Sequence, residues 1–344
     1  MFVRWDDLTV DSEEQRRLPG YRDEAVVRRF DAPEALQTRF YEVRARSILN
    51  RVPEQSRMPF RWTINPYRGC SHACVFCFAR PTHTYLGFNA GRDFEREIVV
   101  KVNAPELLRN ELARRTWKRE HVALGTNTDP YQWVEGRYRL MEGIWEAMRD
   151  AANPCSVLTK SPLLLRDLKL MVEIARRTSF TASLSVPTLD EKAWRETEPH
   201  TPNPRARLEA VAELNRAGIP TSVLVAPLMP GINDAPHQIE PLLEAAEEAG
   251  ATSIGGIALH LRGEVRQVFM DWLAAKRPDL AEHYEKLYRR SAYAPRAEQE
   301  RLSSMVRRRP GDGGWRMESS PPLSTGHEQA TVSPRLALSQ GTLF

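Results

Sequence analysis

The sequence has few cysteines, no long apolar segment and little excess charge of either sign. Four cysteines in 344 residues are too few for a disulfide framework, and three of them are crowded into one loop, which indicates a reducing compartment. Neither end carries an apolar run long enough for a signal peptide or a membrane span, so we expect a cytoplasmic protein. The formal net charge of +4 permits a polyanionic partner without requiring one.

The order of apolar runs predicts the fold class. From about 59 to 262, short β-rich runs alternate with amphipathic helical runs, which indicates an α/β fold of repeated βα units around a parallel sheet. Six units are too few to close an eight-stranded barrel, so the sequence predicts a partial (βα)6 TIM-type barrel. The predicted strands are 60–65, 121–126, 156–160, 180–186, 221–226 and 253–261, and the predicted helices are 105–118, 137–151, 165–178, 204–217, 237–249, 264–276 and 279–291.

Three segments are expected along the chain. Residues 1–58 are predicted to form an N-terminal arm that packs on the main domain and has one strand-like stretch at 40–49. Residues 59–292 are predicted to form the barrel and two C-terminal helices. In 293–344, arginine, serine, proline and glycine follow one another with little periodicity, which predicts a disordered tail.

The most informative motif is a cysteine-rich loop after the first predicted strand. Cys70, Cys74 and Cys77 are separated by three and then two residues. A closed zinc site or an ordinary electron-transfer cluster uses four protein ligands. Three thiolates can instead hold a [4Fe–4S] cube with one iron open to a small molecule. The alternative is a zinc site completed by His72 or His83.

Aromatic residues flank the last cysteine of this loop. Phe76 precedes it and Phe78 follows it, and an aromatic ring at such a place can pack against a nucleobase or simply fill a core. The pattern C-x3-C-x-aromatic-C after a first barrel strand resembles the signature of the radical S-adenosylmethionine (SAM) superfamily. The runs Asn-Pro-Tyr-Arg-Gly-Cys, Phe-Ala-Arg-Pro-Thr-His and Gly-Thr-Asn-Thr-Asp-Pro-Tyr are similar to the branch related to spore photoproduct lyase, often labelled "DNA repair photolyase", and most of all to its uncharacterised actinobacterial-type members.

This resemblance covers roughly residues 40–275 and implies a reaction type. The three cysteines would hold a [4Fe–4S] cluster whose open iron binds the amino and carboxylate groups of SAM. An electron from a reductase such as ferredoxin or flavodoxin would cleave SAM to a 5′-deoxyadenosyl radical, which abstracts hydrogen from a substrate. The cofactor carries this chemistry, and the protein positions it and excludes water.

Polar or small residues mark the ends of the other predicted strands, the edge at which the active sites of such barrels lie. Each has an ordinary alternative, as a turn former, a solvated lysine or a serine bonded to the backbone. The resemblance implies contact with the SAM amino group for Thr126 and Asp129, contact with the carboxylate for Lys160, and a cofactor-lining position for Ser183, Ser185 and Ala226.

One departure from the family pattern affects the reaction. In spore photoproduct lyase a cysteine at the end of the second strand donates hydrogen, and Gly125 stands in the corresponding place here. Cys155 lies at the start of the third strand, away from the predicted active edge, and is expected to be a buried structural thiol. Tyr131 or Tyr67 could relay a radical instead, but the sequence selects neither. No catalytic residue beyond the cluster is predicted.

The last five residues, Gln340 to Phe344, resemble the peptides with which bacterial DNA repair and replication proteins hold the sliding clamp, although the match can also arise by chance. The basic run 307–309 could add phosphate contacts or be a solvated charge run. We expect clamp recovery in a pull-down to fall with Leu343→Ala/Phe344→Ala, and equal recovery would contradict this assignment.

Three hypotheses for function follow. The first is a radical SAM enzyme that acts on a nucleic acid, with a damaged base in DNA as substrate. The second keeps the chemistry but replaces DNA with tRNA, a peptide or a small metabolite, since a fold does not determine a reaction. The third is a zinc-stabilised nucleic-acid-binding module without catalysis.

Overall fold

The computed structural model describes residues 10–30, 37–56 and 58–306. The clamp-like peptide at Gln340–Phe344, the basic run 307–309 and most of the predicted tail lie outside the described residues. Twelve strands occur in the described part of the chain. They are β1 Val10–Arg16, β2 Ala25–Phe30, β3 Arg39–Val43, β4 Leu49–Arg51, β5 Trp62–Ile64, β6 Tyr67–Arg68, β7 Glu97–Lys101, β8 Val122–Leu124, β9 Cys155–Thr159, β10 Phe180–Ser185, β11 Thr221–Leu228 and β12 Ile254–Ala258.

Eleven α-helices and two 3₁₀ helices accompany these strands within the described residues. The 3₁₀ helices span Arg80–Leu86 and Pro162–Asp167. The α-helices are α1 Arg92–Arg96, α2 Ala104–Leu112, α3 Glu135–Tyr138, α4 Leu140–Ala151, α5 Leu168–Ala175, α6 Glu191–Thr197, α7 Pro204–Arg216, α8 Pro236–Glu248, α9 Val265–Lys276, α10 Pro278–Leu287 and α11 Arg296–Val306.

The larger sheet confirms the predicted partial barrel. Its order is β12-β11-β10-β9-β8-β5-β4, and the six strands from β5 to β12 are parallel. Each of these six strands coincides with a predicted one. The sequences of these strands are short and mainly apolar because both faces of a parallel sheet are covered. In β8, for example, all three residues are buried. The carboxyl ends of the six strands therefore share one edge, which is the edge where the motif residues lie.

The core of the barrel lies between this sheet and its helices. In α4, Met141, Trp145 and Met148 are all fully buried and recur at helical spacing, so one face of the helix packs on the strands. Cys155 in β9 belongs to the same core and is fully buried, as expected for a structural thiol. No helix in the described segments is long and apolar enough to cross a membrane.

The N-terminal segment is more structured than predicted. It forms a second sheet of order β1-β2-β3-β7-β6, in which β3 is parallel to β7 and the other pairs are antiparallel. In addition, β4 joins the barrel sheet by pairing with β5, so the predicted boundary at residue 58 does not separate an arm from a barrel. This sheet brings β6, which leads directly into the cysteine loop, against the buried strand β7.

The prediction of disorder from residue 293 onward is wrong for its first part. The segment 296–306 forms α11, and its Leu302 and Val306 are fully buried in the main core. A Cβ at Gly256 in β12 would lie 2.2 Å from Val306 Cγ2, so the glycine lets the helix lie close against the strand. The helix is held by these apolar contacts and by an ion pair of Arg301 with Asp234 at 2.6 Å, which a polar sequence with little periodicity does not predict.

Candidate functional site

The cysteine loop begins with a backbone turn that requires glycine. Gly69 has a φ of +79°, in the left-handed region. A Cβ at this position would lie 2.9 Å from both the Phe94 carbonyl oxygen and Ile98 Cδ1. The amide of Cys70 donates to the same Phe94 carbonyl at 2.9 Å. The glycine therefore lets the chain turn sharply from β6 and places Cys70 against the N-terminal sheet.

Arg80, which belongs to the Phe-Ala-Arg-Pro-Thr-His run, holds the middle of the loop from inside. Its side chain is fully buried. The guanidinium donates to the Cys74 carbonyl at 2.8 and 3.0 Å and to Glu95 Oε1 at 2.5 Å. Further hydrogen bonds go to the carbonyl oxygens of Ala73, Ala90 and Gly91. The sequence does not predict this role, because hydrogen bonds to backbone carbonyl oxygens leave no pattern in a sequence.

Two other segments also hold the loop, each through hydrogen bonds to its backbone. Gln132 is fully buried; its Oε1 accepts from the Ser71 amide at 3.0 Å and its Nε2 donates to the Gly69 carbonyl at 3.2 Å. On the opposite side, the Val75 amide donates to the Thr197 carbonyl at the end of α6, at 3.0 Å. Neither Gln132 nor the 197–198 segment was a predicted site residue, because both act through contacts distant in sequence.

The three thiols are enclosed by this framework. Cys70 and Cys74 are buried and Cys77 is partly exposed. Burial raises the pKa of all three thiols, and for Cys77 the charge of Arg80 opposes the shift. A metal ligand must be a thiolate, so metal binding at this loop is coupled to loss of the thiol protons.

The two histidines named for the zinc alternative lie close to the loop in sequence. His83 is buried and its Nε2 lies 2.9 Å from the Glu97 carbonyl, whereas its Nδ1 has no hydrogen-bond partner among the described residues. In a [4Fe–4S] cube each thiolate binds a different iron, so the three cysteines need not converge on one ion.

His72 and Asp129 form a buried pair beside the cysteines. Asp129 accepts from the Thr159 hydroxyl at 2.6 Å, from the Lys160 amide at 2.7 Å and from the Tyr131 amide at 2.9 Å. Its Oδ2 lies 3.4 Å from His72 Nδ1. These contacts join the ends of β8 and β9, so the carboxylate predicted to meet the SAM amino group is already engaged within the protein.

His72 offers a free polar atom instead. Burial is the largest cause that lowers the pKa of His72, to about 4, although the charge of Asp129 acts in the opposite direction. The ring is therefore neutral at pH 7. Its Nε2 is buried and has no hydrogen-bond partner in the part of the chain that the structure describes. A buried polar atom without a partner is costly and indicates a missing ligand. With Nδ1–H directed at Asp129, Nε2 accepts, which suits an amino group such as those of SAM.

Lys160 already has partners within the protein, which the sequence did not predict. Its Nζ lies 2.6 Å from Glu198 Oε1 and donates to the Ser185 hydroxyl at 2.7 Å. The other Glu198 oxygen accepts from Arg207 at 2.9 Å, and both of these partners are completely buried. Glu198 was not predicted as a site residue. With two cations against one carboxylate, this triad keeps a net positive charge beside the cysteine loop, which is compatible with a carboxylate ligand.

The two aromatic residues of the loop point to different environments. Phe76 is buried, and Lys160 Nζ lies 5.7 Å from its ring centroid, so Phe76 belongs to the same polar site. Phe78 is 52% exposed and lies beside His260, with the ring centroids 5.9 Å apart. Phe76 therefore lies beside Lys160, and its contact with the cofactor stays a prediction. Phe78 lies on the outer surface of the loop.

The remaining predicted residues lie along the same sheet edge. Thr126 is partly exposed after β8. The Ser183 hydroxyl is 2.6 Å from that of Ser222, its register partner in β11, so it serves a cross-strand bond. Ser185 donates to the Ala226 carbonyl at 3.2 Å and accepts from the lysine described above. Of these residues, Ser185 is the one the structure joins directly to the charged triad, and the cofactor contacts of all four stay predictions.

Gly125 allows two strand ends to meet. It has a φ of +79°, and a Cβ built on it would lie 1.8 Å from the Leu158 carbonyl oxygen in β9. No side chain fits at this place with the present backbone. The cysteine donor that the family resemblance would place here is therefore excluded by the packing of β8 against β9.

Neither tyrosine considered as a radical relay lies on an open rim. Tyr67 is fully buried and donates to Glu135 at 2.5 Å. Tyr131 is also fully buried; it donates to Asp167 at 2.8 Å and accepts from the Trp145 ring nitrogen at 2.6 Å. Both phenols therefore belong to the core.

Comparison with known proteins identifies the family of the chain. Residues 64–246 match the family model of the radical SAM superfamily. The chain is 46% identical over 289 residues to an uncharacterised protein of Mycobacterium tuberculosis strain H37Rv, covering 84% of this chain and 85% of the relative. It is 29% identical over 183 residues to the radical SAM Nalpha-GlyT isomerase of Pseudomonas phage M6, covering 52% of this chain and 36% of that protein.

A solved structure of spore photoproduct lyase complexed with dinucleoside spore photoproduct shares the fold. Its TM-score is 0.51 at 18% identity, and the match covers 71% of this chain and 69% of that one. The family model spans more than half of the sequence and includes all three loop cysteines. The chain therefore belongs to the radical SAM superfamily, and it is a radical SAM enzyme whose cofactors are a [4Fe–4S] cluster and S-adenosylmethionine.

Proposed function

We propose that this enzyme acts on a nucleic acid and that its substrate is a damaged or modified base in DNA. The observation that carries the proposal is the fold likeness to a lyase solved with a dinucleoside photoproduct. The DNA-repair labels of the resembling branch support the same substrate class. The alternatives are tRNA, a peptide or a small metabolite.

The site residues have distinct tasks in this proposal. Cys70, Cys74 and Cys77 hold the cluster. When bound, the cluster and SAM would supply the radical chemistry that removes a hydrogen atom from the substrate. His72 Nε2 would accept a hydrogen bond from an amino group of SAM, and the net positive charge of Lys160 and Arg207 around Glu198 would balance a carboxylate.

The surrounding contacts serve orientation and exclusion of water. Gln132 and the segment around Thr197 fix the loop from two sides, and Phe76 covers the charged group of Lys160. A dry, rigid cradle protects a reactive radical from side reactions. Because Gly125 leaves no room for a donor cysteine, the reaction is expected to differ from spore-photoproduct repair in how the product radical is quenched.

The cluster assignment predicts a large loss of iron on mutation. In anaerobically reconstituted protein, we expect about four iron atoms per chain, and close to none in Cys70→Ala/Cys74→Ala/Cys77→Ala. Cys155→Ala is the matched control, because this buried core thiol should be replaceable with the brown colour retained. A colourless wild-type protein that carries one zinc ion would contradict the assignment.

The substrate class is tested by isotope transfer. The reduced holoenzyme is incubated with SAM and deuterated DNA or RNA, and 5′-deoxyadenosine is analysed by mass spectrometry. Deuterium from DNA supports the proposal. If 5′-deoxyadenosine forms without deuterium from DNA, the function belongs to one of the alternative substrates.

A further inference from the structure

Three aromatic rings lie side by side on the surface beside the cysteine loop. Phe78 lies next to His260 with ring centroids 5.9 Å apart, and His260 stacks on Tyr293 at 5.6 Å with an angle of 23° between the rings. We call these three residues the aromatic ladder. They come from the cysteine loop, the segment after β12 and the segment after α10, so the tertiary fold brings them together.

The two ends of the ladder are open to solvent. Phe78 is 52% exposed and Tyr293 is 46% exposed, whereas His260 between them is partly buried. Large aromatic residues are normally buried, so two adjacent exposed rings are informative. An isolated β-bridge between His260 and Tyr293 and a bond from the Leu261 amide to the Ala292 carbonyl, at 2.7 Å, fix the backbone under the rings. The ladder is therefore a rigid feature of the surface.

The charges around the ladder are mostly positive. Arg262, Arg289 and Arg290 are exposed, and each lies within four residues of a ladder ring in sequence. In the part of the chain that the structure describes, none of the three forms an ion pair. Glu264 is the exposed acidic residue nearby in sequence. Burial is the main cause that lowers the pKa of His260, and the positive charge of Arg262 lowers it further, so the ring is neutral at pH 7.

We propose that the aromatic ladder binds the unstacked bases of a single DNA strand next to the reacting nucleotide. Exposed aromatic rings with adjacent cations are the recurring device for binding single strands, because each base has a face that can stack and each nucleotide a phosphate. Phe78 directly follows Cys77, so one end of the ladder adjoins the cluster loop. The inference rests on the proposed function, and it names the surface that such a substrate would use.

The test measures binding of a short fluorescein-labelled single-stranded DNA to the reconstituted full-length protein by fluorescence anisotropy. Loss of one stacked base weakens binding by roughly 5-fold or more. We therefore expect this loss for Tyr293→Ala and for Phe78→Ala, and near-normal binding for Tyr293→Phe, which keeps the ring. Tyr85→Ala is the control: Tyr85 is 54% exposed and is outside the ladder.

An abasic strand separates stacking from phosphate contacts. Wild-type protein and Tyr293→Ala should bind it equally, because no base is present to stack, and this residual binding should weaken with salt. Binding of an RNA strand of the same sequence is measured as well. If the protein binds RNA but not DNA, the assignment of DNA as the ligand of the ladder is wrong. Equal binding of the normal strand by wild type and both ladder variants would overturn the ladder while leaving the substrate proposal intact.

Formation of 5′-deoxyadenosine without substrate gives an independent readout. Tyr293→Ala should form it at the wild-type rate, since its ring stacks on His260 and makes no hydrogen bond with the charged triad among the described residues. If wild type forms 5′-deoxyadenosine but binds no nucleic acid, the DNA substrate and the ladder both fail, and the radical SAM activity stands. If Tyr293→Ala loses this activity, the ring supports the site itself and its assignment to a docking surface is wrong.

Discussion

Replacement of Gly125 by alanine is expected to prevent normal folding. The new Cβ would lie 1.8 Å from the Leu158 carbonyl oxygen, so either β8 or β9 has to move within a closely packed parallel sheet. The left-handed φ of +79° adds a further cost for any residue with a side chain. We expect a loss in the free energy of unfolding of more than about 4 kcal/mol, which is in the range of exceptional single substitutions.

A glycine elsewhere in the chain provides the matched control. Gly218 has almost the same conformation, with a φ of +83°, but a Cβ there would have no atom within 4 Å. Gly218→Ala should therefore cost only the conformational term of about 1–2 kcal/mol. Soluble yield and the midpoint of urea unfolding are compared for the two variants. Similar midpoints would show that the strand ends can separate and that the steric argument is wrong.

The same experiment bears on catalysis. Gly125→Cys would restore the residue type that spore photoproduct lyase uses as hydrogen donor, yet it should be at least as destabilised as Gly125→Ala, because cysteine carries the same Cβ and a sulfur beyond it. The missing donor is thus a property of the backbone packing. A donor for this enzyme would have to come from another position or from the substrate.

The parallel strands could be predicted from the sequence because their signal is local. Runs such as 221–226 and 253–261 are rich in apolar residues, and Gly218 and Gly250 mark where the preceding helices end. Their order along the sheet follows from the rule that successive βα units lie side by side. The cysteine loop was predicted for the same reason, since its ligands are close together in sequence.

What the sequence could not predict depends on contacts between distant segments. Glu198 follows a short helix with no motif, and its pairing with Lys160 becomes visible only when α6 is placed against the cysteine loop. The charged strand β1 is a strand because it pairs with β2, not because its own residues favour one. Likewise, the position of Asp129 after a strand predicts a contact with SAM. Its three hydrogen bonds within the protein could not be predicted, because two of them come from the end of the neighbouring strand β9.

The loss of Arg80 is expected to abolish cluster binding as well as stability. In Arg80→Met the Ala73 carbonyl oxygen loses its hydrogen bond from the guanidinium, the Cys74 carbonyl oxygen keeps only the Cys77 amide as donor, and Glu95 loses its ion pair. Removal of one partner from a buried charged network costs about 3–5 kcal/mol. Since these carbonyls belong to the loop between Cys70 and Cys77, the loop should lose the conformation that brings the thiols to the cluster.

Two variants distinguish a role in the loop from general destabilisation. Arg80→Lys keeps the charge but lacks the planar group that reaches several carbonyls at once, so it should bind iron only weakly. Arg207→Met removes an arginine that is equally buried but donates to no residue of the loop, so it should lose stability while folded chains keep their iron. Iron per folded chain and the visible absorbance of the cluster are measured after anaerobic reconstitution. If all three variants retain iron, Arg80 is only a core residue; if Arg207→Met loses as much iron as Arg80→Met, the loss reflects instability, because a specific effect on the loop requires the two arginines to differ.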